Sequence, residues 1–114
     1  MTKKERVNRV FKAIADPTRR EIFHVLVMAG TALSLTQISQ QFDISRQGVT
    51  KHIGLLEEAG LVRTLSHGRE RFCEANPTPL QDIRDWIGIY DRFWDSRLRN
   101  LDTFLKNKKR NPDT

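Results

Sequence analysis

The 114-residue sequence lacks the groups that most function classes need. Its single cysteine, Cys73, can close no internal disulfide, which excludes a small secreted scaffold held by disulfides. The three histidines, His24, His52 and His67, lie far apart on separate segments, and a metal needs several N, S or O donors to converge. Neither a metal nor another cofactor is therefore expected. There is no glycine-rich phosphate loop and no arrangement that would activate a serine or cysteine, so no enzyme is expected either. No apolar run is long enough to span a bilayer, and the opening MTKKERVNR lacks the apolar stretch of a signal peptide. The expectation is a cytoplasmic protein with no membrane partner.

What the sequence does contain fits one small globular domain: 38% of residues are hydrophobic and 30% are charged. Repeats, low-complexity stretches and an obvious linker are all missing, so residues 1–106 read as a single domain followed by a basic, flexible tail at 107–114. Twenty Lys and Arg against fourteen Asp and Glu give a formal charge of +6. That charge suits nucleic acid without identifying it. Half of the excess sits from Lys106 onward, and a second basic run, Lys3, Lys4, Arg6, Arg9 and Lys12, opens the chain. Both can be solvated surface or phosphate contacts.

Along the chain, Val7, Val10, Phe11 and Ile14 recur at helical spacing until Asp16-Pro17 breaks the helix and caps the next. The second helix turns Ile22, Phe23, Leu26 and Val27 inward, with His24 beside that stripe expected packed or half-buried, and ends at Ala29-Gly30. Ser34 caps a short third helix holding Leu35, Ile38 and Phe42. After a turn at Asp43-Ile44, Ser45 caps a fourth with a Val49, Ile53, Leu56 core stripe, stopped at Gly60. Two strand-like runs, LVRTLS and RERFCEA, flank His67-Gly68 as a β-hairpin, with Leu61, Leu65 and Phe72 inward and Arg63, Arg69 and Arg71 projecting. Asn76-Pro77-Thr78-Pro79 then opens a long last helix, with Thr78 as cap. The fold class is mainly α with a small hairpin. A short helix, a brief turn and a longer helix form a helix-turn-helix at about 34–60, and the hairpin at about 61–75 is its wing.

The fourth helix carries what groove reading needs. Ser45 can cap and bond a phosphate, assisted by the helix dipole. Gln47 can pair with adenine, Arg46 with guanine or a phosphate, and Thr50 and Lys51 lie one turn on. Gly48 can let the backbone approach the duplex, and His52 is expected beside a phosphate. On the wing, His67, Arg69 and Arg71 suit minor-groove or phosphate contact, with Glu70 facing away. Any amphipathic helix has a polar outer face, and it is the flanking short helix and hairpin that favour the DNA reading.

The last helix, about 79–106, would be roughly 40 Å long at 1.5 Å per residue. Leu80, Ile83, Ile87, Tyr90, Trp94, Leu98, Leu101 and Leu105 form one stripe, with Trp86, Phe93 and Phe104 beside it. So small a domain cannot cover that band alone. A homodimer would, with Ile83, Ile87, Tyr90, Trp94, Leu98, Leu101 and Leu105 at the interface. Two recognition helices would then stand about one DNA turn apart, matched to a palindromic site. The competing reading makes Trp86, Tyr90 and Trp94 the lining of a ligand pocket.

Four stretches carry a resemblance to a known family: FKAIADPTRREIFHVL (11–26), ISRQGVTKHIGLLEEAGLV (44–62), HGRERF (67–72) and PLQDIRDWIGIYDRFWDSRLRNLDTFL (79–105). Together they resemble ArsR/SmtB-type transcriptional repressors over almost the whole chain. The resemblance implies a dimer built from the first and last helices, with Val7, Val10 and Phe11 of the first joining the interface, bound to a promoter palindrome as an autorepressor. It matches Ser45, Gln47, Thr50, Lys51 and His52 to the family's recognition helix, and Arg69 and Arg71 to its wing. The chain departs from the metal-sensing members: Ser34 stands where their cysteine motif begins, and the last helix has no histidine. The alternative to a DNA-binding repressor is a winged-helix adaptor whose aromatic helix docks another protein.

Overall fold

A computed structural model describes residues 1–110, with side chains through 108. Helices α1 (Lys3–Ala15) and α2 (Pro17–Ala29) are followed by a two-residue strand β1 (Leu33–Ser34), then α3 (Leu35–Phe42) and α4 (Arg46–Glu58). Strands β2 (Val62–His67) and β3 (Glu70–Ala75) form the hairpin, and α5 (Leu80–Arg110) completes the order. Two compact units are distinguished along the chain: Met1–Ile83, and the part from Arg84 on. Among the described residues, α5 gives the core no buried side chain after Ile83.

The corner between α1 and α2 is built from Asp16. Its extended backbone (φ −80°, ψ 126°) ends α1, and its carboxylate accepts from the Arg19 N–H at 2.9 Å to cap α2. Pro17 follows in the first turn, where no N–H is needed. The carbonyls left open at the end of α1 are filled by two arginines. Arg19 donates to Ala13 O at 2.7 Å and Lys12 O at 3.1 Å, and Arg20 to Ile14 O at 2.7 Å and Ala15 O at 3.3 Å. Sequence reading registers these arginines only as charge. Arg19→Ala should cost about 1.5–3 kcal/mol by urea unfolding, the usual range for hydrogen bonds to a charged donor. A loss no larger than that of an arbitrary surface alanine would remove the capping role.

The Asp16 carboxyl is held below the ordinary carboxylate range, chiefly by the Arg19 N–H and against an opposing desolvation, with Arg19 and His52 adding electrostatically. A depressed carboxylate stabilises the fold above its unfolded pKa and loses that contribution as pH falls through the folded value. Asp16→Asn should therefore flatten the acid side of a stability-versus-pH curve, measured by thermal melts.

The core joins Val10 and Ala13 of α1, Ile22, Phe23 and Leu26 of α2, Leu35 and Ile38 of α3, and Val49, Ile53 and Leu56 of α4. Leu61, Val62, Cys73 and Ile83 close it. Four expectations are corrected here. Val27 is 39% exposed, on the outer side of α2. Leu65 is 51% exposed, on the uncovered face of the hairpin. His24 is exposed rather than half-buried. Val10, assigned to a dimer interface, is 1% exposed, and Val7 (9%) and Ile83 (8%) are nearly as enclosed, so these three spend their surface inside their own chain. Phe11, at 36%, sits at the edge of that core face.

The hairpin gains a third strand. β1 pairs antiparallel with β3, Leu33 opposite Cys73 and Ser34 opposite Phe72, so the sheet order is β1-β3-β2. Two residues are too few to show a period, which hides this strand from sequence reading. Cys73, fully buried, has its thiol pushed up to about 11 by burial, and it behaves as a small apolar side chain.

The last helix begins at Leu80, one residue after the expected start. Backbone carbonyls of Pro77, Thr78 and Pro79 take the N–H groups of Leu80, Gln81 and Asp82 at 2.9, 3.0 and 3.2 Å. At the other end α5 runs to Arg110, so residues 107–110, expected in the basic tail, are helical, and the rest of that tail lies outside the described residues.

Candidate nucleic-acid interface

The helix-turn-helix is fixed by short-range chemistry. Ser34 and Gln37 form a reciprocal capping box at the start of α3, with the Gln37 N–H on Ser34 Oγ at 3.1 Å and the Ser34 N–H on Gln37 Oε1 at 2.8 Å. Asp43 takes the left-handed conformation (φ 49°, ψ 41°) that an Asx residue tolerates, which reverses the chain. The Ser39 hydroxyl then donates to Ile44 O at 2.6 Å and ties α3 to the turn.

Ser45 caps α4 as expected, its Oγ accepting from the Gly48 N–H at 3.0 Å. Replacing it with Ala should cost about 1 kcal/mol and with Gly only a few tenths, measured by denaturant titration. Gly48 has a reason that the sequence did not reveal. A Cβ there would stand 3.3 Å from Ser45 Oγ, crowding the cap itself.

Arg46, Gln47, Thr50 and Lys51 are all exposed, and α4 carries no acidic residue before Glu57. Two cations and the positive end of the helix dipole therefore share one polar face. The Thr50 hydroxyl donates back to Arg46 O at 2.9 Å, which leaves its oxygen lone pairs and methyl group for an outside partner. His52, expected beside a phosphate, is less exposed than Thr50 and Lys51. It is half-buried, its Nδ1 is enclosed without a hydrogen-bond partner, and the ring lies near enough to Asp16 to act on that carboxyl.

The wing is anchored to α4 where the Thr64 hydroxyl donates to the Glu57 carboxylate. Its two-residue turn is Gly68-Arg69, with Gly68 at φ 63°, the left-handed value glycine supplies at the first position of a hairpin turn. The register separates the expected cations. Ser66 pairs with Arg71 on the face that holds buried Cys73, whereas His67 pairs with Glu70 on the opposite face beside Leu65 and Phe72. Arg71 and Arg69 remain an exposed basic tip, but His67 shares its face with a carboxylate.

The part of α5 beyond Ile83 is a different surface. Ten large apolar side chains, from Trp86 to Leu105, are between 43% and 68% exposed. Trp86 meets Tyr90 edge-on with ring centroids 5.1 Å apart, Phe93 meets Trp94 at 5.8 Å, and the Arg97 guanidinium lies 4.8 Å from the Phe93 ring centre. No group of three or more potential metal ligands occurs among the described residues, and no helix among them is long and apolar enough to cross a membrane.

Comparison with known proteins agrees with this geometry. Residues 14–64 match the family model of a helix-turn-helix domain. The transcriptional repressor SdpR of Bacillus subtilis is 35% identical over 81 residues, covering 71% of this chain and 88% of the relative. A crystal structure of an ArsR family transcriptional regulator superposes with a TM-score of 0.72 at 31% identity, over 82% of this chain and 94% of the other. A homodimeric winged helix-turn-helix DNA-binding domain from Mycobacterium bovis, solved by NMR, shares the fold at 20% identity with a TM-score of 0.58, over 82% of each chain.

Proposed function

Because the chain belongs to the ArsR/SmtB-type family of winged helix-turn-helix transcriptional regulators, we propose that it is a homodimeric repressor that reads a palindromic operator in its own promoter. One observation carries the reading: a serine-capped α4 that exposes Arg46, Gln47, Thr50 and Lys51 and has no acidic residue for three turns. An α-helix fits the major groove and reads base edges from its N-terminal residues. In that placement Ser45 and the first N–H groups of α4 hold a phosphate, Gln47 takes an adenine edge, and Arg46 takes a guanine or the backbone. Arg69 and Arg71 extend the contact to the flanking groove or phosphates. His52 lends its ring edge to the backbone from a half-buried position. The uncovered apolar surface of α5 supports the homodimer, as does the homodimeric state of the M. bovis relative, and the repressor named among the relatives supports repression.

The test is a binding titration against DNA from immediately upstream of the gene, at two salt concentrations, with a scrambled duplex as control. Binding of two subunits per site that survives added salt only on the native duplex is the expected result. Equal binding to both duplexes, erased by salt, would overturn the sequence-specific reading. No shift on either duplex would point instead to a winged helix that docks another protein.

A further inference from the structure

We propose that Glu57 and Thr64 are positioning residues for DNA binding: their hydrogen bond fixes the wing on α4, so that Arg69 and Arg71 reach the duplex while Gln47 lies in the groove. The inference rests on the placement of α4 and the wing against DNA given above, and adds the contact that joins them into one rigid head. Little else holds the wing outward of its base. Val62 and Cys73, 2% and 0% exposed, are its only buried side chains, and every residue from Leu65 to Arg71 is exposed. Asn76 ties the base, its backbone N–H donating to Leu61 O at 2.7 Å and its Nδ2 to Gly60 O at 3.0 Å. Among the described residues, no hydrogen bond or ion pair joins 65–71 to another element. The Thr64–Glu57 bond is thus the outermost tie. Past it the strand runs three more residues to His67, roughly 10 Å at 3.4 Å per residue, and a swing of about 10° at the base would shift that end by roughly 2 Å. A hydrogen bond to a phosphate tolerates only a few tenths of an ångström.

The chemistry of the pair suits fixing an angle. Apolar contact at Val62 and Cys73 is non-directional, whereas a hydrogen bond weakens steeply as its distance and angle depart from the optimum. Glu57 and Thr64 are both half-buried, and the hydroxyl is the carboxylate's one hydrogen-bond partner among the described residues. Moving the wing away would leave that charge partly desolvated and unpaired. The register carries the constraint outward: Thr64 stands opposite Cys73, and the next pair on the same face is Ser66 with Arg71. Glu57 lies ten residues after Gln47, roughly 15 Å along α4, so one helix holds the base reader near its start and the wing's tether near its end. Without the tether the arm must be ordered at each binding event, and that cost falls on affinity.

A double-mutant cycle on the operator duplex tests this, with full-length proteins at a temperature where melts show each one folded. Arg71→Ala should weaken the parent several-fold, and should change affinity by less than about two-fold once Thr64→Val has removed the hydroxyl. Thr64→Val alone should reproduce most of the Arg71→Ala loss, with a salt slope lower by about one, and should leave discrimination at the base pair of Gln47 as it was. Thr64→Ser keeps the hydroxyl and should behave as the parent. Glu57→Ala should act as Thr64→Val does, while Glu57→Gln, which keeps an acceptor oxygen without the charge, should act as the parent. Equal losses from Arg71→Ala in both backgrounds would overturn the positioning role and leave the wing on the DNA, the bond then serving stability alone. A loss with Thr64→Val that Glu57→Ala does not reproduce would overturn the pairing. No effect of Arg71→Ala in the parent would overturn the wing's placement on DNA, and this inference with it.

Discussion

Gln47→Ala should relax discrimination at one base pair in each operator half-site, costing about 1–3 kcal/mol there and leaving the other positions as selective as before. The reason is geometric. Gln47 is the second residue of α4, exposed beside the Ser45 cap, and its carboxamide offers one donor and one acceptor to a base edge. Arg71→Ala should behave differently. On the wing's exposed tip it has charge without a planar partner to read, so its loss should weaken all duplexes alike and lower the slope of affinity against salt by about one. A competition titration across single-base variants of the operator, at two salt concentrations, separates the two behaviours. If both variants bound every duplex as the parent does, the reading head would not be α4 and its wing.

The second large effect concerns the opposite face of the same helix. Leu56 is fully buried, in the core stripe that holds α4 against the rest of the domain. Leu56→Ala should cost about 2–5 kcal/mol, the range for a large-to-small change that leaves a cavity in a packed interior. For a domain whose total stability is about 5–15 kcal/mol this is a large share. The melting temperature should fall accordingly, and DNA binding should be lost on warming before it is lost in the cold. A stability change below about 1 kcal/mol would mean that α4 does not depend on this core.

The elements legible in the sequence were those with local causes. Asp16-Pro17, Ser34, Ser45 and Gly30 act within one turn, through caps, a fixed φ or a left-handed residue, and each ended or began a helix where its chemistry required. The core stripe of α4 was equally plain, since three apolar residues at helical spacing need no knowledge of their partners. The exposed groups on its outer side followed by elimination.

Burial against other elements was not legible. Leu65 looked like a core residue because alternation gives a strand two faces without saying which one is covered, and the domain covers the face of Cys73. The resemblance assigned Val10 and Phe11 alike to an interface, and only packing in the core placed the first in the interior. Arg19 and Arg20 read as surface charge until the end of α1 supplied carbonyls for them to fill. His52 lay on the polar side of its helix by periodicity, yet it is half-buried and near enough to Asp16 to act on that carboxyl. The sequence by itself determined where α2, α3, α4 and the wing begin and end, because capping, turn chemistry and hydrophobic period act over a few residues. Only the tertiary structure decided which side chains remain outside for a partner, because exposure depends on residues distant in the chain.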